Sequence, residues 1–104
     1  MQFPKSLVIV PTYNEKENIS IIIPEILSQH ECIQVLVVDD HSPDGTGDIV
    51  QKMIDQNQRI HLLRRSGKLG LGSAYVMGFK WALEQGFERI FEMDADFSHA
   101  PSDL

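Results

Sequence analysis

The chain is 104 residues long, room for one domain at most, and its 42% hydrophobic and 23% charged residues are the proportions of an ordinary folded protein. A net charge of −6 with a pI near 5 argues against a nucleic-acid partner and against nonspecific adhesion to an anionic bilayer. The longest apolar runs, Leu7–Val10, Ile21–Ile23 and Val35–Val38, fall far short of the roughly 20 residues a membrane-spanning helix needs.

Four short, nearly continuous apolar segments read as strands: Ser6–Val10, Gln34–Asp39, Arg59–Leu63 and Arg89–Met93. Such runs suit parallel strands covered on both faces. Helical patterns alternate with them. The first runs from about Glu15 to Gln29, with Asn14 and Glu17 as a capping box and Pro24 as an interruption. The second follows Thr46, an apt N-cap, and ends near Gln56; the third runs from about Leu71 to Gln85 and is stopped by Gly86. The order β-α-β-α-β-α-β predicts an α/β fold: a Rossmann-like parallel sheet with right-handed crossovers and helices on both faces. Met77, Phe79 and Trp81 of the third helix are expected in the core. Cys32, the single cysteine, cannot close an intrachain disulfide, which suits a reducing, cytosolic setting, and it is expected to be a partly buried small hydrophobe. The first residues do not read as a signal peptide. His99–Leu104 reads as the opening of a further helix, so the chain is expected to be a fragment of a larger domain.

Chemistry gathers where strands end. Pro11-Thr12-Tyr13-Asn14-Glu15 follows the first strand; Pro11 is expected to end it, Tyr13 offers a ring that can stack on a base, and Glu15 an acceptor for ring nitrogens or amines. The same residues could equally be a polar loop with its own helix cap. Asp39-Asp40-His41-Ser42-Pro43-Asp44-Gly45-Thr46 follows the second strand. An acid at such a strand end suits a ribose diol, which favours function for Asp39 or Asp40, whereas Asp44-Gly45 is a turn signal and favours structure for Asp44. The loop Arg64–Ala74 after the third strand has glycines that permit close backbone approach at a helix N-terminus. It matches neither a P-loop nor a dinucleotide fingerprint, and Lys68 within it could meet a phosphate or only water.

The sharpest element is Asp94-Ala95-Asp96, at the end of the fourth strand. Alternation along an extended backbone puts both carboxylates on one side and Ala95 on the other. Carboxylates that converge at the carboxyl edge of a parallel sheet repel unless a hard divalent cation lies between them, and such a cation recruits phosphates. These residues therefore point to an octahedral Mg²⁺ or Mn²⁺ site for a diphosphate. His99 is a poorer candidate ligand, because a hard cation prefers oxygen.

Taken together, VPTYNEKENI, VVDDHSPDGT, RSGKLGLGSAYVMGF and MDADFSH resemble the inverting family-two glycosyltransferases of GT-A fold, and within them the polyprenol- or dolichol-phosphate mannosyltransferases. The resemblance runs from about Leu7 to Leu104 and implies the nucleotide-sugar-binding portion of a GT-A domain, truncated at its C-terminus. It implies that Pro11, Tyr13, Glu15, Val38 and Asp40 bind the guanosine of GDP-mannose. It also implies that Asp94, Ala95 and Asp96 contact ribose and diphosphate, and that Asp94 and Asp96 hold Mg²⁺ or Mn²⁺, with Asp96 the residue on which catalysis rests. Some relatives have Gln where Ser98 stands, which leaves a third protein ligand unassigned.

The activity so implied is direct displacement at the anomeric carbon by a polyprenyl phosphate, at the cytoplasmic face of a membrane. No general base is required, because the acceptor is already anionic. Glucose and aminoarabinose transferases to lipid phosphates share these motifs. A second reading is a nucleotide-diphosphate-binding module without catalysis. A third, a receiver-type signalling domain suggested by LVVDDHS, fails on position: receivers place the acidic pair on the first strand and an Asp at the end of the third, which here ends in Leu63-Arg64-Arg65. A half-domain with an uncovered apolar face is also expected to self-associate.

Overall fold

A computed structural model describes residues 5–67 and 70–95. Seven elements follow in the expected order: β1 (Ser6–Thr12), α1 (Lys16–Leu27), β2 (Ile33–Asp39), α2 (Thr46–Gln56), β3 (Ile60–Arg64), α3 (Leu71–Glu84) and β4 (Arg89–Glu92). All strand pairs are parallel, in the order β3-β2-β1-β4. The chain thus steps outward from β1 to β3, then returns across β1 to lay down β4. The point of reversal lies between β1 and β4, and open sheets of this kind bind ligands outside the carboxyl ends of the strands at such a point.

Alternation along the strands sorts their side chains into two cores. Val8, Val10, Val35, Val37 and Ile60 pack under α1 and α2; Leu7, Ile9, Leu36 and Val38 pack under α3. The first helix contributes Ile19, Ile22, Ile23, Ile26 and Leu27, spaced as one helical stripe. The third approaches the sheet along Ala74, Gly78 and Ala82. A Cβ on Gly78 would lie 2.8 Å from the Ile9 side chain, so only glycine allows this close approach. Burying the fully enclosed Ile and Val side chains of both cores supplies about 1.5–3 kcal/mol each, which is what holds two thin helical layers on so short a sheet.

Several details depart from expectation. Pro11 does not end β1, which continues to Thr12. The ladder to β4 runs only from Ser6 to Ile9, so beyond it β1 is an edge on that side and a proline costs no ladder bond. The helix α1 starts at Lys16, and no Asn14–Glu17 capping box forms: Glu15 occupies the cap position without a side-chain cap bond. Pro24 lies well inside α1; it and Ser20, whose carbonyl it leaves without an amide donor, are both exposed, so water can serve that carbonyl. Thr46 does not cap α2 either; it is the first helical residue, after Gly45 at φ 92°. At the end of α3 the expected glycine stop holds: Gly86 has φ 79°, and Phe87 N–H and Gly86 N–H donate to Ala82 and Leu83 carbonyls in a Schellman motif.

The core assignment on α3 needs correction. Trp81 packs against Phe87 and His61, but Met77 and Phe79 are exposed, as are Val76 and Leu83. The helix is alone on its face of the described sheet, so only the small-residue line and the flanking Tyr75 and Trp81 meet strands. Cys32 is half-buried, as expected.

Candidate nucleotide and metal site

Register sets where the rim residues point. On β2, Val37 faces α1 and α2 and Val38 faces α3; continuing the alternation, Asp39 turns to the α2 side and Asp40 to the α3 side. On β4 the same parity puts Met93 and Ala95 in the core under α1 and α2, and Asp94 on the α3 side. Asp40 and Asp94 therefore share one face and one edge of the sheet. They sit beyond the two strands that flank β1, roughly 10 Å apart by two strand spacings. The expected parity of Asp94 and Ala95 holds; Asp96, Ser98, His99 and Lys68 lie outside the described residues.

The two acids of the first cluster have separate tasks. Asp39, 2% exposed, accepts the Thr12 hydroxyl at 2.7 Å and the Ser42 N–H at 3.0 Å, so it ties the end of β1 to the loop after β2. Asp40, 6% exposed, takes a two-pronged bond from Arg65, with Nε to Oδ1 at 2.6 Å and Nη2 to Oδ2 at 2.9 Å. Arg65 also donates to the Gly70 carbonyl at 2.8 Å and to the Ser73 hydroxyl. One buried guanidinium thus joins the ends of β2 and β3 to the glycine loop and the first turn of α3. Sequence reasoning missed this role of Arg65. Its signal was there: Asp39 and Arg64 are partners in the β2–β3 register, so Asp40 and Arg65 emerge side by side. The cation beside Asp40 is thus an arginine, while Asp39 is satisfied by hydroxyls and an amide.

The segment Ser42–Thr46 is a brace for the β1–α1 loop. Asn14 N–H donates to Ser42 Oγ at 2.9 Å and Glu15 N–H to Thr46 Oγ1 at 3.0 Å. Asp44 caps two helices at once: Oδ2 accepts the Lys16 N–H opening α1, and Oδ1 the Thr46 N–H opening α2. Burial would raise the Asp44 pKa, but bonds from Thr46 and the Lys16 amide, with the Lys16 charge, outweigh it and hold the carboxyl below its ordinary range. Asp44 is structural, as the turn signal indicated. Asn14 and His41 both adopt left-handed backbone, at φ 57° and 56°, which closes these loops tightly against each other. The braced loop presents Tyr13, 38% exposed, and leaves an open hollow of about 420 Å³ lined by Asn14 to Asn18 and Asp44. Glu15, half-buried, accepts Asn18 Nδ2. Val38 is fully enclosed beneath α3, opposite Pro11 in register, so it can meet a ligand only through its backbone.

Asp94 is half-buried, and its Oδ1 accepts the Tyr75 hydroxyl at 2.7 Å. Among the described residues no three His, Cys, Asp or Glu side chains gather as a metal cage. The chemistry of the described donor nevertheless fits a hard cation. Asp94 offers carboxylate oxygen ordered by a phenol hydroxyl, whereas Asp40 is paired with a guanidinium.

Residues 7–104 match the glycosyl transferase family 2. The chain belongs to that family. Over 103 residues it is 48% identical to a polyprenol monophosphomannose synthase of Mycolicibacterium smegmatis, covering 96% of this chain and 38% of that protein. Over 98 residues it is 46% identical to an undecaprenyl-phosphate mannosyltransferase of Micrococcus luteus, covering 94% and 40%. Among solved structures, the mannosyltransferase PcManGT of Pyrobaculum calidifontis, in complex with GDP-Man and Mn²⁺, superposes with a TM-score of 0.75 at 27% identity, over 89% of this chain and 28% of that one. Residues 1–349 of TarS from S. aureus, in complex with UDP, give a TM-score of 0.72 at 29% identity, over 88% and 27%. The fold is that of the GT-A glycosyltransferases. The chain spans about two fifths of the curated relatives it matches.

Proposed function

We propose that this chain is the N-terminal, nucleotide-sugar-binding part of an inverting hexosyltransferase, one that moves mannose from GDP-mannose to a polyprenyl phosphate. The observation that carries the reading is the placement of Asp40 and Asp94 on one face of one sheet edge, astride the point where strand order reverses. The names of the two curated relatives and the donor bound in the Pyrobaculum structure supply the sugar and acceptor class.

In this reading the braced loop after β1 presents Tyr13 to the base and Glu15 to its amines. Asp40, kept rigid by Arg65, is presented to the nucleoside as an acceptor. Mg²⁺ or Mn²⁺, held by Asp94 and Asp96, would neutralise charge gathering on the departing diphosphate. The acceptor phosphate is anionic at neutral pH, so it attacks the anomeric carbon without a general base while the bond to the diphosphate breaks with inversion. Positioning by the protein then carries much of the rate. A lipid-linked acceptor places the reaction at a membrane surface, on the cytoplasmic side; among the described residues no helix is long and apolar enough to cross a membrane.

Transfer assays on a longer protein carrying this chain test the reading. Asp96→Ala should abolish metal-dependent transfer, and normal transfer by that variant would sink it. GDP-mannose and UDP-glucose offered in parallel separate the mannosyl reading from a lipid-phosphate glucosyltransferase. For the 104-residue chain alone the favoured activity is binding without catalysis, because it spans only 38–40% of its relatives. Calorimetry with GDP and GDP-mannose, with and without Mn²⁺, should show weak binding, and turnover by the isolated chain would exclude the binding-only reading.

A further inference from the structure

Both acidic positions of the rim are held by the opening turns of α3. Ser73 and the Gly70 carbonyl seat Arg65, which grips Asp40; two residues on from Ser73, Tyr75 donates its hydroxyl to Asp94. The helix cannot shift freely, because Ala74, Gly78 and Ala82 lie tight on the sheet and Gly78 leaves no gap above Ile9. The reach of the phenol is therefore fixed by helix–sheet contact, not by a loop.

We infer that Tyr75 is a positioning residue for the cation-binding carboxylate Asp94, an inference that rests on the function proposed above. A carboxylate free to rotate about χ1 and χ2 must be ordered each time it takes a metal. A phenol bonded to Oδ1 at 2.7 Å orders it beforehand. The bond does not exhaust the ligand, since an ionised carboxylate has about four acceptor positions. Nor does it cancel the charge, as an arginine would. A hydroxyl orders a carboxylate without offsetting its charge, something the two-pronged Arg65 at Asp40 cannot do.

The test measures Mn²⁺ binding directly, as free ion seen by electron paramagnetic resonance, in the longer protein with GDP present. Tyr75→Phe keeps the ring and removes only the donor; it should weaken Mn²⁺ binding by about 10- to 100-fold, the usual effect of losing a hydrogen bond behind a metal ligand. GDP affinity without metal should fall by a smaller factor than Mn²⁺ binding, because Arg65 and Asp40 are untouched. Placing 4-aminophenylalanine at position 75 restores a donor on the same ring and should recover most of the Mn²⁺ affinity, which a purely structural role for the ring would not predict. Equal Mn²⁺ binding by wild type and Tyr75→Phe overturns the inference. So does a loss that the amino analogue fails to rescue, which also covers a Phe variant that folds poorly. A wild-type protein that binds no Mn²⁺ with GDP sinks the proposed function itself, a separate outcome.

Discussion

The two acidic clusters look alike in sequence, each an aspartate pair after an apolar strand, yet the structure equips them differently. Asp39 and Asp40 are almost wholly buried and braced, one by hydroxyls and a backbone amide, the other by a two-pronged arginine. Asp94 is half-buried, and its Oδ1 accepts a phenol hydroxyl. Carboxylates at a strand end do not by themselves announce a metal. What separates them is the kind of donor seen at each: a guanidinium braces Asp40 from behind, and a phenol hydroxyl braces Asp94.

The sharpest way to break this comparison is to remove the arginine. Arg65→Leu leaves the Asp40 charge buried without its partner, which should cost about 3–5 kcal/mol of stability, a large share of what a domain this size possesses. Urea unfolding would show it. Adding Asp40→Leu to that variant should recover much of the loss, because a buried ion pair replaced by apolar groups of similar size is often neutral. If Arg65→Leu costs under about 1 kcal/mol, Asp40 is not part of the frame and the contrast fails.

Next comes the helix that serves both clusters. Gly78→Ala places a methyl against Ile9, itself fully buried and without space to retreat. Overpacking of this kind costs about 1–3 kcal/mol, and the better helix propensity of alanine returns up to about 1, so a net loss near 1 kcal/mol is expected. The same lifted helix should carry Tyr75 away from Asp94 and weaken Mn²⁺ binding in the longer protein. A stability loss with unchanged metal affinity would show that α3 and Asp94 are not coupled.

Asp94→Asn should separate the clusters from the other direction. The amide is isosteric and can still accept from Tyr75, so folding stability should change by less than about 1 kcal/mol, while Mn²⁺-dependent binding of GDP is lost. Calorimetry on the variant checks this, and retained metal dependence would move the cation elsewhere.

How much of this was legible beforehand follows from what kind of interaction each residue makes. Strand and helix order could be read because continuous apolar runs and helical spacing are local. The parity that puts Asp94 beside α3 and Ala95 in the opposite core was equally readable, since it follows from extended backbone alone. The N-terminal caps were not. Asn14, Glu17 and Thr46 had cap-like chemistry close in sequence, but the amides of Asn14, Glu15 and Lys16 leading into α1 are met by Ser42, Thr46 and Asp44 from another loop, about 30 residues away. Arg65 and Tyr75 went unread for the same reason: their partners, Asp40 and Asp94, are neighbours only once the strand order β3-β2-β1-β4 is known. The exposed Met77 and Phe79 mark another limit, because composition tells which residues are apolar but not how many layers cover a face.

The smallest effect expected is a pH dependence seated on β3, away from the rim. His61 on β3 packs at 4.9 Å against Trp81, the only tryptophan, and its Nε2 lies 2.6 Å from Gln34 Oε1. Burial, helped by the Lys5 charge, lowers its pKa below the ordinary 6.5, so the folded protein keeps the ring neutral where the unfolded chain has begun to bind a proton. Stability is then intact above pH 6.5 and declines as pH falls from there through the lowered folded value. Asp44, also depressed, adds a second loss only under stronger acid, as pH drops below the ordinary carboxyl value of 3.8. Urea midpoints followed by Trp81 fluorescence between pH 7.5 and 5 should show the first decline, and His61→Gln should flatten it. If the decline survives that substitution unchanged, its source lies with groups other than His61.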